Sequence, residues 1–350
     1  MRLSTNLASE PYKTRAQTGL ATWQTLLKEG IEKVTDLLEL LGLDKHPWHE
    51  MAIDESSSFK LRVPHGFVNR MKRGDPNDPL LLQILPLMAE KTVTPNYSVD
   101  PLGEKAHNPV PGLLHKYKSR VLLTMTGACA INCRYCFRRH FPYEENNPGR
   151  LGWQSAIDYI KQDTRINEVI FSGGDPLILP DHVLAPFSEQ LAAIPHLTTL
   201  RIHTRLPIVL PERINDEFLD WFAHSRLKPV LVTHANHPNE IDESVASAAK
   251  RLQQADIFVL NQSVLLKNVN DNPSALATLS EKLFACHIMP YYIHLLDKVE
   301  GAAHFDLPEA TAIAIHQELV RLLPGYLVPK LVCEIGGEAS KTSVGNTARY

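Results

Sequence analysis

Along residues 19–44 (GLATWQTLLKEGIEKVTDLLELLGLD), apolar residues recur at three- and four-residue spacings. That spacing gathers them on one face and predicts amphipathic helices packed inward. The pattern changes beyond residue 110. Short apolar, β-branched runs appear at VLLTM (121–125), EVIFS (168–172), TLRIHT (199–204), PVLVTH (229–234), IFVLNQSVLL (257–266) and IMPYYIH (288–294), each followed by an amphipathic stretch. Strands so uniformly apolar are covered on both faces, and their alternation with helices predicts βαβ units around a parallel sheet. The fold class expected is α/β: a partial (β/α)6 TIM-like barrel preceded by an N-terminal helical segment.

Between the two patterns, the stretch from Pro95 to Pro111 is rich in Pro, Asn and Gly and reads as a connector. It divides the chain into a helical segment and connector (1–110), a barrel (111–325) and a C-terminal segment (326–350). In such barrels the loops after the strands carry the chemistry, so functional motifs are expected just past the apolar runs.

Composition changes this picture little. At 350 residues, 44% hydrophobic and 21% charged, the chain is ordinary for a globular protein. A net charge of -3 with mixed signs gives no general footprint for nucleic acid or an anionic membrane, so no partner of either kind is expected. The N-terminal residues lack the apolar core of a signal peptide, and no run approaches the roughly 18 apolar residues of a membrane span. A cytoplasmic protein is expected. Of five cysteines, three fall within eight residues, which suits a metal or cluster site in a reducing compartment better than a disulfide framework. Cys286 and Cys333 sit in apolar contexts and read as small buried hydrophobes.

The clustered cysteines are Cys129, Cys133 and Cys136, spaced CxxxCxxC directly after the first barrel run. A [4Fe-4S] cluster normally takes four cysteines, so three would leave one iron open for a small chelator. The same spacing followed by His140 also allows a tetrahedral Cys3His zinc site, and spacing alone leaves both readings open. Ser172, Gly173, Gly174 and Asp175 end the next run, where the glycines let backbone approach a ligand closely or simply make a turn. Near the C-terminus, EIGGEASK presents Lys341 on a glycine-rich loop, either as a Schiff-base anchor or as a solvated surface group.

CxxxCxxC with Tyr135 before the last cysteine resembles the cluster motif of radical S-adenosylmethionine (SAM) enzymes. The longer blocks CRYCFRRHF, FSGGDPL, RIHTRLPIVLPERI, THANHPNEI, NQSVLLKNVND and PYYIHLLDKVEGAAHF resemble the lysine 2,3-aminomutase family over most of the chain. Length and the ending LVPKLVCEIGGEASK resemble its EpmB branch. The resemblance implies a radical SAM barrel with three cofactors. Cys129, Cys133 and Cys136 would bind the [4Fe-4S] cluster, the Ser172–Asp175 segment SAM, and Lys341 pyridoxal 5'-phosphate (PLP) as a Schiff base. It also implies that Arg138 pairs with the substrate carboxylate, that Asp297 and Glu334 hold the substrate ε-ammonium, and that Tyr117 and Arg120 lie near the pyridoxal ring. Glu334 stands where clostridial-type enzymes carry aspartate, and the zinc-binding C-terminal extension of those enzymes is absent from this sequence. The implied reaction is radical conversion of (S)-α-lysine to β-lysine, of (R) configuration in this branch. The β-lysine then serves modification of elongation factor P by a lysyl-tRNA-synthetase-like ligase, and a flavodoxin or ferredoxin system would supply the electron. Two alternatives are an aminomutase acting on another amino acid and a zinc-bearing module without catalysis.

Overall fold

In the computed structural model, residues 22–52, 59–143, 149–338 and 340–345 are described. Every apolar run predicted as a strand forms one: β2 (Arg120–Thr126), β3 (Glu168–Gly173), β4 (Thr199–His203), β5 (Lys228–His234), β6 (Phe258–Val264) and β7 (Met289–His294). Three strands were not foreseen: β1 (Leu113–Tyr117), β8 (Lys330–Cys333) and β9 (Thr342–Ser343). The sheet runs β1 to β9 in chain order. Strands β2 to β8 are parallel, while β1 and β9 pair antiparallel at the two edges, so the barrel is open. β3 is buried on both faces, Val169, Ile170 and Phe171 alike, whereas β4 and β6 alternate buried positions with partly exposed ones.

The connecting helices are α3 (Gly149–Gln162), α4 (Asp181–Ala192), α5 (Asp216–Ala223), α6 (Glu243–Gln254), α7 (Pro273–Ala285) and α8 (Glu309–Leu322). Their starts follow local chemistry. The side chains of Asn215, Asp242 and Asn272 accept backbone N–H groups of Phe218 (3.0 Å), Val245 (3.0 Å) and Ala275 (2.8 Å), satisfying donors that the first turn leaves free.

The N-terminal segment is helical only in short pieces. The helices α1 (Trp23–Lys28) and α2 (Val34–Leu40) flank a bridge in which Ile31 and Val63 exchange backbone hydrogen bonds at 2.8 and 3.0 Å. Gly30 permits that approach, since a Cβ there would lie 3.2 Å from the Val63 carbonyl oxygen. Tertiary pairing therefore interrupts the amphipathic run; the start of that run, residues 19–21, lies outside the described residues. The buried residues of this segment, Trp23, Leu37, Leu38, Phe67 and Leu80 among them, belong to the same apolar cluster as Phe171, Phe218 and Phe222 of the barrel.

The connector is tied down as well. Ser98 exchanges backbone hydrogen bonds with Lys298 and Glu300, both 3.0 Å, and the Tyr97 hydroxyl donates to Asp306 at 2.6 Å. The stretch thus straps onto the loop that follows β7, and its turn Glu104–His107 faces the site.

Candidate active site

One cavity of about 670 Å³ runs through the open barrel, and it is lined by every residue to which the resemblance gave a role, whereas His140, Cys286 and Cys333 are not in its wall. Cys129, Cys133 and Cys136 stand past the C-terminal end of β2 and the Ser172–Asp175 segment closes β3 and continues past it, where the barrel rule expects them. Tyr117 and Arg120 do not: they come from the end of β1 and the start of β2, toward the opposite end of the cavity, and pair across that hairpin. The Arg120 guanidinium lies 4.0 Å from the Tyr117 ring centroid.

The cysteine loop is clamped by the N-terminal segment. Arg134, fully buried, donates from Nε (2.8 Å) and Nη2 (2.5 Å) to Glu90 and from Nη1 to the Phe59 carbonyl (2.8 Å). Arg139 shares Glu90. Tyr135 turns its hydroxyl inward, where Gln83, Asn236, Arg205 and His234 all lie within 3.1 Å of it. The guanidinium of Arg205 reaches Cys133 Sγ at 2.7 Å. Burial, then the neighbouring Cys136, Asp175 and Cys133, push the Cys129 thiol well above its ordinary pKa; burial and Cys133 push Cys136 up to about 11. Thiols crowded in this way shed their protons only when a cation compensates, which fits an iron cluster held by thiolates. His140 is folded away from them, its Nε2 3.2 Å from the Glu300 carbonyl, so the Cys3His arrangement that spacing allowed is not formed. Among the described residues, no three His, Cys, Asp or Glu side chains close around a single metal ion.

The glycines of the next motif serve first to bring its backbone against the cysteine loop. Gly174 N–H donates to Thr126 O (2.6 Å) and Asp175 N–H to Ala128 O (2.8 Å). A Cβ on Gly173, whose φ is +114°, would stand 2.6 Å from Thr126 O, and one on Gly174 2.3 Å from Ala128 O. Asp175 spends its carboxylate on the loop after β4, accepting from Thr204 Oγ1 (2.6 Å) and from the backbone of Leu177 (3.1 Å), Arg205 (2.7 Å) and Leu206 (3.2 Å). It pins the motif in place, leaving the glycine backbone and Ser172 at the cavity wall.

Arg138 is buried beside this motif. Its Nη1 donates to Ser172 Oγ at 3.1 Å, while Nε and Nη2 grip Glu104 at 2.9 and 2.7 Å. Glu104 outweighs burial and raises the Arg138 pKa, so the guanidinium is permanently charged.

The loop 334–341 joins β8 to β9, and their pairing (Val332 with Ser343, Cys333 with Thr342) brings Glu334 and Lys341 together. Lys341 Nζ donates to Glu334 Oε2 at 2.6 Å, Lys116 Nζ to Oε1 at 3.0 Å and the Tyr117 hydroxyl to Oε1 at 3.3 Å. Burial works to raise the Glu334 pKa, but the two ammoniums overcome it and bring it down to about 2. Asp297 is the contrary case. Burial first, then the charge of Glu334, push its carboxyl up to about 7. In the wall of the same cavity, at the C-terminal ends of β4 and β7, His203 and His294 are held neutral, His294 near 3, by burial and nearby cations. Arg201 donates to Glu168 at 2.9 Å and keeps a buried Nε without a hydrogen-bond partner. Cationic Arg120 and Arg201 together with Lys341 suit an anionic cofactor carrying a carbonyl.

Glu104, Lys116, Arg201 and Arg205 were not singled out in the sequence. Lys116 was legible as the neighbour of Tyr117; Glu104 was hidden in a stretch whose composition spells connector.

A family model described as the Radical SAM superfamily matches residues 123–278. The chain is 51% identical over 320 residues to the L-lysine 2,3-aminomutase of Haemophilus influenzae, covering 91% of this chain and 94% of that protein. It is 50% identical over 320 residues to that of Escherichia coli, covering 91% and 93%. With that of Clostridium subterminale it shares 35% identity over 341 residues, covering 97% and 81%. The chain therefore belongs to the L-lysine 2,3-aminomutase family: it is an isomerase of the radical SAM superfamily, and its cofactors are a [4Fe-4S] cluster, SAM and PLP.

Proposed function

We propose that this enzyme converts free (S)-α-lysine to (R)-β-lysine in the cytoplasm, and that the product supplies β-lysylation of elongation factor P by a lysyl-tRNA-synthetase-like ligase. A flavodoxin or ferredoxin system delivers the electron. The observation that carries the substrate reading is the placement in one cavity of a charged guanidinium, Arg138, and two acids, Asp297 and Glu334. A diamino acid with a terminal ammonium is complementary to that set. The elongation-factor role is supported by the resemblance of the block LVPKLVCEIGGEASK to the EpmB branch, and the cytoplasm by three clustered thiols that suit a reducing compartment.

Cys129, Cys133 and Cys136 would hold the cluster, Ser172, Gly173, Gly174 and Asp175 SAM, and Lys341 the pyridoxal carbonyl, with Tyr117 and Arg120 beside the ring. When bound, the cluster and SAM supply a primary carbon radical that takes and returns a substrate hydrogen, and PLP supplies the π-system through which the amino group migrates. The chain's own residues do the rest. Arg138 presents its fork to the α-carboxylate. Asp297, raised to about 7 by burial and the charge of Glu334, ionises when the ε-ammonium arrives. Glu334 Oε2 loses its donor once the Lys341 amine is engaged, and becomes an acceptor for the same ammonium. Leu102, Leu114, Val121, Ile131 and Leu296 line the walls and keep water from the reacting carbon.

The test is anaerobic reconstitution with iron, sulfide and PLP, followed by SAM, dithionite and L-lysine, with products resolved against chiral standards. Formation of (R)-β-lysine, abolished in Cys133→Ala and Lys341→Ala, is the expected result. SAM cleavage without β-lysine would transfer the reading to another amino acid, and Asp297→Ala, which should selectively damage substrates with a terminal cation, would then be without selective effect. A fully loaded enzyme that leaves SAM intact would overturn the reading.

A further inference from the structure

Arg138 meets the cavity with much of its hydrogen-bonding capacity already committed. Glu104 takes the Nε/Nη2 side of the guanidinium as a two-point pair, and Ser172 takes one hydrogen of Nη1. Both members of the pair are buried, with side chains 6% and 7% exposed. A guanidinium has five N–H donors in a fixed plane. Nη1 also reaches Gly173 O at 3.5 Å, the limit of a hydrogen bond and readily given up, so the edge left for an incoming carboxylate is the terminal Nη1/Nη2 edge.

We propose that Glu104 is the positioning residue of the substrate-carboxylate site: it fixes the guanidinium plane so that the α-carboxylate docks on that terminal edge and nowhere else. The inference rests on the reading of Arg138 as the carboxylate partner. Glu104 is itself held from several directions. Its N–H donates to Asp100 at 3.0 Å, Gly103 before it takes φ +62°, and the strap is sewn to residues 298 and 300 through Ser98. The carbonyl of Leu102 also backs onto Gly336 of the Lys341 loop, where a Cβ would come within 3.4 Å of it. One strap thus touches both the carboxylate fork and the loop presenting the pyridoxal lysine, and Arg138 in turn touches the motif assigned to SAM. Fixing the plane of Arg138 fixes the distance between the substrate's carbon 3 and the carbon that must take its hydrogen.

Charge gives the proposal a distinctive signature. Glu104 neutralises Arg138, so it does not strengthen the attraction for a carboxylate; it restricts its direction. Glu104→Gln therefore leaves lysine bound at least as tightly while the reaction becomes less well coupled. A purely structural role would instead lower turnover in proportion to lost cofactor.

The experiment compares wild type and Glu104→Gln, both assayed for iron and PLP content, by the ratio of 5'-deoxyadenosine released to β-lysine formed. A rise of about tenfold is expected, with KM for lysine unchanged or lower and kcat reduced. Glu104→Asp keeps the charge pair with a shorter reach and should fall between. An unchanged ratio in loaded Glu104→Gln, or a fall in kcat that only tracks lost cofactor, overturns the proposal. Should wild type form no β-lysine, the aminomutase reading has failed, and Glu104 is decided separately by titrating the pyridoxal absorbance with L-lysine and L-lysinamide. Preference for the acid over the amide should then increase in Glu104→Gln by about tenfold, as an unneutralised guanidinium would make it; a preference that does not increase overturns the inference.

Discussion

The two ends of the cavity are held by opposite means. Around the cysteine loop the charged side chains are closed on fixed partners: Arg134 on Glu90 and Phe59, Arg139 on Glu90, and Tyr135 sits in a ring of four polar groups. Around the Lys341 loop the charges are incomplete. Glu334 holds two lysines, one of which has chemistry to perform, and Asp297 is only distantly served by the same two lysines, which do not offset its burial and the charge of Glu334. The first end keeps a geometry that must be the same in every state. The second end is completed by what binds there, so its charges are set to change partners.

Breaking the rigid end should cost most. Arg134→Met leaves Glu90 buried with Arg139 alone, and losing one partner of a buried pair costs about 3–5 kcal/mol. Denaturant unfolding should register that loss, and iron content should fall at temperatures where PLP binding survives. Equal loss of both cofactors would deny the separation of the two ends. Gly174→Ala acts next. Its Cβ would meet a backbone oxygen, Ala128 O, at 2.3 Å, so either the cysteine loop or its neighbour must move. A displacement near 1 Å costs roughly a hundredfold in rate, and SAM cleavage should drop by that factor while the pyridoxal absorbance is unchanged.

At the unfinished end the effects are smaller and depend on pH. The Asp297 pKa, about 7, is raised above its unfolded value, so the folded chain retains a proton that the unfolded chain gives up. Its ionisation therefore costs folding stability progressively as pH climbs from about 4 through 7. Asp297→Asn should raise the melting temperature at pH 8 and leave it unchanged near pH 4. The same substitution should lower kcat/KM for lysine by about 10- to 100-fold, the value of a hydrogen bond to a charged group. It should also flatten the rise of kcat/KM with pH through about 7. A pH profile that keeps its shape in the variant would remove Asp297 from the ammonium site.

The same contrast governs what the sequence allowed one to foresee. The parallel strands β2 to β7 were legible because each carries a short, mostly apolar stretch whose core-facing positions are buried, bounded by helices whose Asn and Asp caps are local signals. Strands β1, β8 and β9 lie at or beside the sheet edges and carry too few consecutive apolar residues to spell a run (LL in LLHKY, LVC in KLVC, none in TS), while the Ile31–Val63 bridge that breaks the predicted N-terminal helices depends on a partner distant in sequence. The thiol motif was readable because three soft ligands must lie close in the chain. Glu104 was not, because its function depends on Arg138, 34 residues away, and on a strap whose composition resembles a linker. Asp175 was read only as part of the segment expected to contact SAM; that its carboxylate also engages Thr204 and three backbone amides is a use no local pattern announces.

The smallest effect is the most exacting for the comparison. Lys116 shares Glu334 with Lys341, and while Lys341 remains in place its removal should leave Glu334 ionised at neutral pH, since one ammonium at 2.6 Å still faces it. The consequence appears once the Lys341 amine is engaged. Glu334 then keeps only the Tyr117 hydroxyl, and Asp297 and Glu334 together present two negative charges with no cation between them. A substrate ammonium arriving there meets a stronger field than in wild type. Lys116→Met should therefore lower KM for lysine by about threefold, the scale of a partly solvated ion pair, and leave norleucine, which lacks the terminal ammonium, unaffected. If the variant instead loses its pyridoxal absorbance, Lys116 belongs to the cofactor rather than to the charge balance, and the far end of the cavity is less open to exchange of partners than its geometry implies.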